Sequence, residues 1–166
     1  MSADTKAQDQ PVENSSATAM LQQPIGKKVI KYVVSVFGSI GVGIGLTGLL
    51  AASLISSGIG FAATIVAAGS LVVSFFAGSI VAAMLALNGT FDIGRSTTET
   101  YVVSFASTAV GYIIMMLLTM ILTSVTADID IGSYLFGALF LSIPTGFTAV
   151  LIIWIHRSTT LQPTSV

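Results

Sequence analysis

Long uncharged runs alternate with short polar segments along this chain. Residues 1–26 are polar, carry mixed charge and include Pro11 and Pro24. Up to Pro24 only Val12, Met20 and Leu21 are bulky and apolar after Met1. So little apolar surface does not offset the entropy of ordering a chain, which predicts a tail without a packed structure of its own. The tail does not read as a secretory signal. The first apolar run starts only after Lys31 and is about twice as long as a hydrophobic signal region of roughly 7–15 residues.

From Tyr32 the pattern changes. Residues 32–55 carry no charge, and as a helix they reach roughly 36 Å, enough to cross a hydrocarbon core of about 30 Å. Residues 61–88 form a second uncharged run, separated from the first by a small serine- and glycine-rich turn at 56–60. One helix over both runs would overshoot a bilayer, so the break falls at Ser57–Gly58. A polar segment with Asp92, Arg95 and Glu99 precedes a third run at 101–126. Asp128 and Asp130 lie before a fourth run at 133–155. The pattern predicts an all-α integral membrane protein: four transmembrane helices in two hairpins within 27–157, and a short C-terminal tail at 158–166.

Composition sharpens that class. Of 166 residues, 54% are hydrophobic and only 8% charged, against about 25% charge in a soluble domain. Mean hydropathy is +0.95. Six Lys and Arg against seven Asp and Glu leave no cationic face of the kind that binds nucleic acid. The absence of cysteine removes disulfides, thiolate metal sites and thiol catalysis.

The basic residues set an orientation. Lys6, Lys27, Lys28 and Lys31 precede the first span, Arg95 lies between the second and third, and Arg157 follows the fourth. With four spans all six lie on one side, and the loops 56–60 and 127–132 hold none. By the positive-inside rule both termini are then cytoplasmic, in a plasma membrane or a viral membrane. Tyr32, Tyr101 and Trp154 at the inner ends and Tyr134 at the outer end suit interfacial aromatic belts. Lys27, Lys28, Lys31, Arg95 and Arg157 are candidates for attracting anionic lipid headgroups, at about 1 kcal/mol each; orientation alone also accounts for them.

Within the spans, small residues are in register. Gly38, Gly41, Gly45, Gly48 and Ala52 share one face of the first, and Ser74, Gly78 and Ala82 recur at steps of four in the second. Between helices in lipid, close backbone approach replaces the hydrophobic drive, and small residues permit it. Two readings stand: packing of spans one and two, or a self-association face. Tyr32-Val-Val-Ser35 and Tyr101-Val-Val-Ser104 hint at a duplicated hairpin with parallel repeats about an axis normal to the membrane. Leu71-Val-Val-Ser74 shows how readily such a match arises by chance. In the third span the methionines 115, 116 and 120 read as core or lipid-facing residues. Pro144, with Gly146, marks a kink or hinge in the fourth. There Ser142 or Thr145 is placed to serve the carbonyl of Phe140, which loses its amide donor.

Candidate chemistry is sparse. The spans hold no Asp, Glu, Lys, Arg or His, the usual mark of proton relays and ion-coupled transport. His156, the only histidine, sits at a helix end and reads as interfacial. Asp128 and Asp130 are too few for a cation site and read as a solvated loop, with Asp130 capping the fourth span. The segment Gly89–Arg95 lacks the order of a phosphate loop, and no cofactor motif occurs. The residues therefore point to a non-catalytic structural or accessory subunit of a membrane assembly, a class that includes membrane components of virus particles. Its expected partners are the bilayer, further copies of itself or a larger complex, and a protein that docks on the N-terminal tail. The competing reading is an oligomeric pore or transporter-like pathway for a small uncharged solute, motivated by Ser35, Ser39, Thr47, Ser70, Ser74, Ser107 and Thr108 and by the break at Pro144.

Topology is testable by labelling, because the native chain has no cysteine background. Ser57→Cys and Ile129→Cys will react with an impermeant reagent outside intact cells. Ser96→Cys and Thr159→Cys will react only after the membrane is opened. The reverse pattern would invert the orientation.

Overall fold

The computed structural model describes residues 24–55, 60–92, 96–125 and 131–160. The N-terminal tail before Pro24, Arg95, Asp128 and Asp130 lie outside the described residues. Four helices make up the fold: α1 (Pro24–Ile55), α2 (Gly60–Leu87), α3 (Thr97–Thr123) and α4 (Ile131–Thr160). All four are long and apolar enough to cross a membrane, and the chain is a multi-pass integral membrane protein. Helix is the form that satisfies every backbone group of a single spanning segment without a neighbour.

The helices overrun the apolar runs. α1 starts at Pro24 and not Tyr32, α3 starts at Thr97 and not Tyr101, and α4 continues to Thr160. Hydropathy marks where lipid ends, whereas a helix ends where its terminal groups are satisfied. Pro24 occupies the first position of α1, where a missing amide proton costs little. At the start of α3, Ser96 caps the helix by accepting from the Glu99 amide at 3.3 Å, the Ser-x-x-Glu pattern of a capping box. α2 ends at Leu87 and is capped through Gly89, which has φ +69°. There the Gly89 amide donates to Ala86 and the Thr90 amide to Leu85, both at 3.2 Å, the paired bonds of a Schellman cap. Phe91, just beyond, turns back into the core and is 1% exposed.

Contacts between residues give the helix directions. Phe37 meets Gly111, Gly41 meets Met115 and Gly45 meets Leu122, so α1 and α3 run parallel. Gly78 meets Tyr112 while Ser74 meets Thr119, so α2 runs against α3. Gly146 meets Phe105 and Arg157 meets Thr100, so α4 also runs against α3. α3 packs on all three other helices, as does α2, whereas α1 and α4 make no contact among the described residues. That adjacency excludes a two-fold axis relating the two halves. Such an axis would exchange the α2·α3 seam for an α1·α4 seam, and among the described residues only the former is present.

The axis of the bundle is filled. Phe37, Leu71, Tyr112, Met115, Met116 and Met120 are all buried, while Leu54, Phe76, Phe136, Phe140 and Trp154 face outward. The three methionines of α3 are therefore core residues, suited by their flexible thioethers to irregular gaps between helices. Ser104, Ser107 and Thr108 are buried too, and each donates to a carbonyl of its own helix. α4 continues across Pro144, which is exposed. Ser142 donates to Leu139 at 2.7 Å and Thr145 to Leu141 at 2.9 Å. The two hydroxyls placed to serve Phe140 thus bond to carbonyls on either side of it, because their rotamers reach back three or four residues from their own positions.

A Cβ at Gly89 would meet nothing within 4 Å, so its cost there is purely that of the left-handed backbone. Gly89→Ala will lower stability by about 1–2 kcal/mol in thermal or denaturant unfolding of the detergent-solubilised protein. Gly69→Ala, with equally open space in a helix interior, will be neutral or stabilising.

Candidate functional site

Two places bring functional side chains together: a three-helix junction in the bundle, and a polar cluster where α2, α3 and α4 end on one face. The junction starts from glycine. A Cβ on Gly41 would stand 2.5 Å from the Met115 carbonyl oxygen and 2.9 Å from its Cα. The obstacle is backbone, so it cannot rotate away. A Cβ on Gly45 would stand 2.7 Å from Leu122 Cδ1, and one on Gly48 would collide with the Ser70 hydroxyl. Gly38 is looser, with Leu118 Cδ1 at 3.6 Å, and Ala52 is buried. Gly43, on the same helix, has nothing within 4 Å. The close partner of Gly41 and Gly45 is thus α3, and not α2 as the hairpin reading expected. The bulky second half of α3 supplies the knobs that the glycine notch receives.

On α2, Ser74 and Ala82 are buried, and Gly78 lies against the ring of Tyr112. On α4, Gly146 lies against Phe105, with a Cβ there 2.7 Å from Cδ2. Phe105 also meets Phe147 edge to face, with centroids 5.2 Å apart. Phe37 of α1 lies on Gly111 in the same manner, 2.7 Å from a Cβ there. Each seam of α3 therefore contains a large side chain seated on a glycine. The buried phenol oxygen of Tyr112 has no hydrogen-bond partner among the described residues, which leaves the ring's fit against Gly78 as its visible anchor.

Thr119 ties the junction together, and sequence reading missed it. Its Oγ1 lies 3.1 Å from the Gly41 carbonyl of α1 and 3.0 Å from the Met115 carbonyl of its own helix. It has one proton for these two acceptors. It also accepts from the Ser74 hydroxyl of α2 at 3.3 Å. A threonine bonding back four residues is ordinary in helices, so only the proximity of Gly41 gives it a role between helices.

The second place lies at the end of α4. Arg157 Nη2 donates to Thr100 Oγ1 at 3.3 Å and stands 3.6 Å from Asp92 Oδ1. Thr100 is fully buried and donates in turn to the Ser96 carbonyl at 3.3 Å. Asp92, Thr100 and Arg157, with His156, Phe91 and Ile153, line a cavity of about 160 Å³. Lys27, Lys28 and Lys31 are exposed along the first turns of α1. No three His, Cys, Asp or Glu among the described residues are grouped to hold a metal.

No family model, curated protein or solved structure matches this chain. Fold and packing define its class directly, as a polytopic helical membrane protein.

The junction predicts a ranking. Gly41→Leu and Gly45→Leu will each cost about 1–3 kcal/mol through overpacking, although leucine favours helix over glycine. Gly43→Leu will be near neutral. Thr119→Val will cost only about 0.6 kcal/mol, the average for a hydrogen bond between membrane helices. Melting temperatures in one detergent check the order; a larger loss at Thr119 than at Gly41 would make the hydrogen bond, and not the fit, dominant.

Proposed function

We propose that this protein is a non-catalytic structural or accessory subunit of a membrane assembly. The observation that carries this reading is the filled bundle axis, closed by Phe37, Tyr112, Met115, Met116 and Met120. A protomer built this way offers its outer faces, and not an internal path, to its surroundings. On this reading the four spans form two hairpins with both termini in the cytoplasm, a reading that the six-to-none distribution of basic residues supports. The host is a plasma membrane or a viral membrane, and the chain works with further copies or as part of a larger complex. The tail before Pro24 is the segment that meets a protein partner.

A pore between protomers is the second reading, and one observation favours it. Ser35, Ser39 and Thr47 are exposed on one face of α1. Each hydroxyl, however, already donates to a carbonyl of its own helix at 2.8 Å. Hydroxyls satisfied in this way face lipid without needing water.

Reconstituted in liposomes with verified orientation, the protein will pass small uncharged solutes no faster than empty vesicles do. Cross-linking in native membranes through the N-terminal tail will recover it in a complex larger than the protomer. Protein-dependent flux would favour the pore, and a lone protomer in native membranes would remove the assembly reading.

A further inference from the structure

We propose that the cavity lined by Asp92, Thr100, His156 and Arg157 seats the headgroup of an aminophospholipid of the phosphatidylethanolamine type. The phosphate lies on Arg157 and the ammonium on Asp92. Position comes first. Arg157 stands three residues beyond Trp154, about 4.5 Å along the helix, and Thr100 adjoins Tyr101. Tryptophan and tyrosine at helix ends mark the boundary between hydrocarbon and headgroups. The cavity therefore opens in the layer where phosphates and amines lie.

Its chemistry selects among headgroups. One wall carries a guanidinium, whose planar fork of N–H donors suits phosphate oxygens. Thr100 holds that fork across the wall through its contact with Nη2. Beside it stands Asp92, whose side chain is 73% exposed and lies 3.6 Å from Arg157. That loose contact leaves the carboxylate turned largely outward, toward an incoming cation. Phe91 and Ile153 are buried behind it and make an apolar floor. A site with acid and base side by side is complementary to a zwitterion. A purely anionic headgroup would meet the charge of Asp92 without a compensating amine. A choline headgroup would bring a cation that has no N–H to donate. An ethanolamine headgroup satisfies both the acid and the base. The cavity, of about 160 Å³, is well above the roughly 10–15 Å³ that one water needs and is lined by polar groups. The site requires membrane embedding alone and is independent of the assembly role.

The test uses the full-length protein in nanodiscs of equal phosphatidylethanolamine, phosphatidylcholine and phosphatidylglycerol. After transfer to mild detergent, retained lipids are counted by native mass spectrometry. The wild type will retain phosphatidylethanolamine over each competitor by about 2- to 5-fold, the range of partly exposed ion pairs. Asp92→Asn will abolish the preference over phosphatidylglycerol. Arg157→Gln will lower retention of phosphatidylethanolamine to the level of phosphatidylcholine. Glu99→Gln, an acid on the same face outside the cavity, will leave the preference intact. Equal retention of the three lipids by the wild type would overturn the proposal. So would a phosphatidylglycerol preference, or an Asp92→Asn protein that still prefers ethanolamine. Should Arg157→Gln not fold, the wild-type comparison and the exposed Asp92 substitution still decide.

Discussion

The architecture depends on the approach of α1 to α3 at Gly41. In water, apolar helices are driven together; in lipid their surroundings are as apolar as their partners, and contact must come from fit. At Gly41 the fit reaches the backbone itself, where no side chain could be inserted without moving Met115. That proximity brings the Gly41 carbonyl within reach of Thr119, and Thr119 in turn receives Ser74. The hydrogen bonds follow from the close approach and do not create it, since such bonds are individually weak in membranes.

The same device recurs on every side of α3. Phe37 sits on Gly111, Leu122 on Gly45, Tyr112 on Gly78 and Phe105 on Gly146. Each is a bulky residue on one helix and an absent side chain on the other. α3 is accordingly the hub, and among the described residues α1 and α4 make no contact. Their outward faces, with Leu46, Leu50 and Leu54 on α1 and Phe136, Phe140 and Trp154 on α4, remain apolar and exposed. A protomer with a closed axis and large apolar outer faces suits lateral association within a membrane, which is why its proposed role is structural.

At one end of the bundle the logic changes from shape to charge. The interior of the spans has no ionisable group other than tyrosine, so Arg157 becomes significant by position. It links the last turn of α4 to the first turn of α3 through Thr100, and to the α2–α3 turn through Asp92. The turn is itself held in place by the left-handed backbone of Gly89 and by the burial of Phe91. Local backbone chemistry thus positions an acid and a base side by side at one end of the bundle.

The sequence by itself determined the class, the number of spanning helices and the small-residue face of α1. These follow from one-dimensional quantities: the length of uncharged runs, and glycine at steps of three and four. It also marked the polar turn carrying Asp92 and the basic residue Arg157, as separate features. What only the tertiary structure decided is which helix meets which. Gly41 and Gly45 can fit any closely approaching helix, and the hairpin connection suggested α2; the backbone at Met115 and the side chain of Leu122 made it α3. Thr119 was illegible for the same reason, because a threonine that bonds its own helix looks the same in sequence whether or not a foreign carbonyl lies beside it. The duplicated motif at Tyr32 and Tyr101 implied an axis that the adjacency of α2 and α3 excludes. Pattern reports which face of a helix can pack; only the joint shape of four helices selects the partner, because in lipid no term other than fit distinguishes one apolar surface from another.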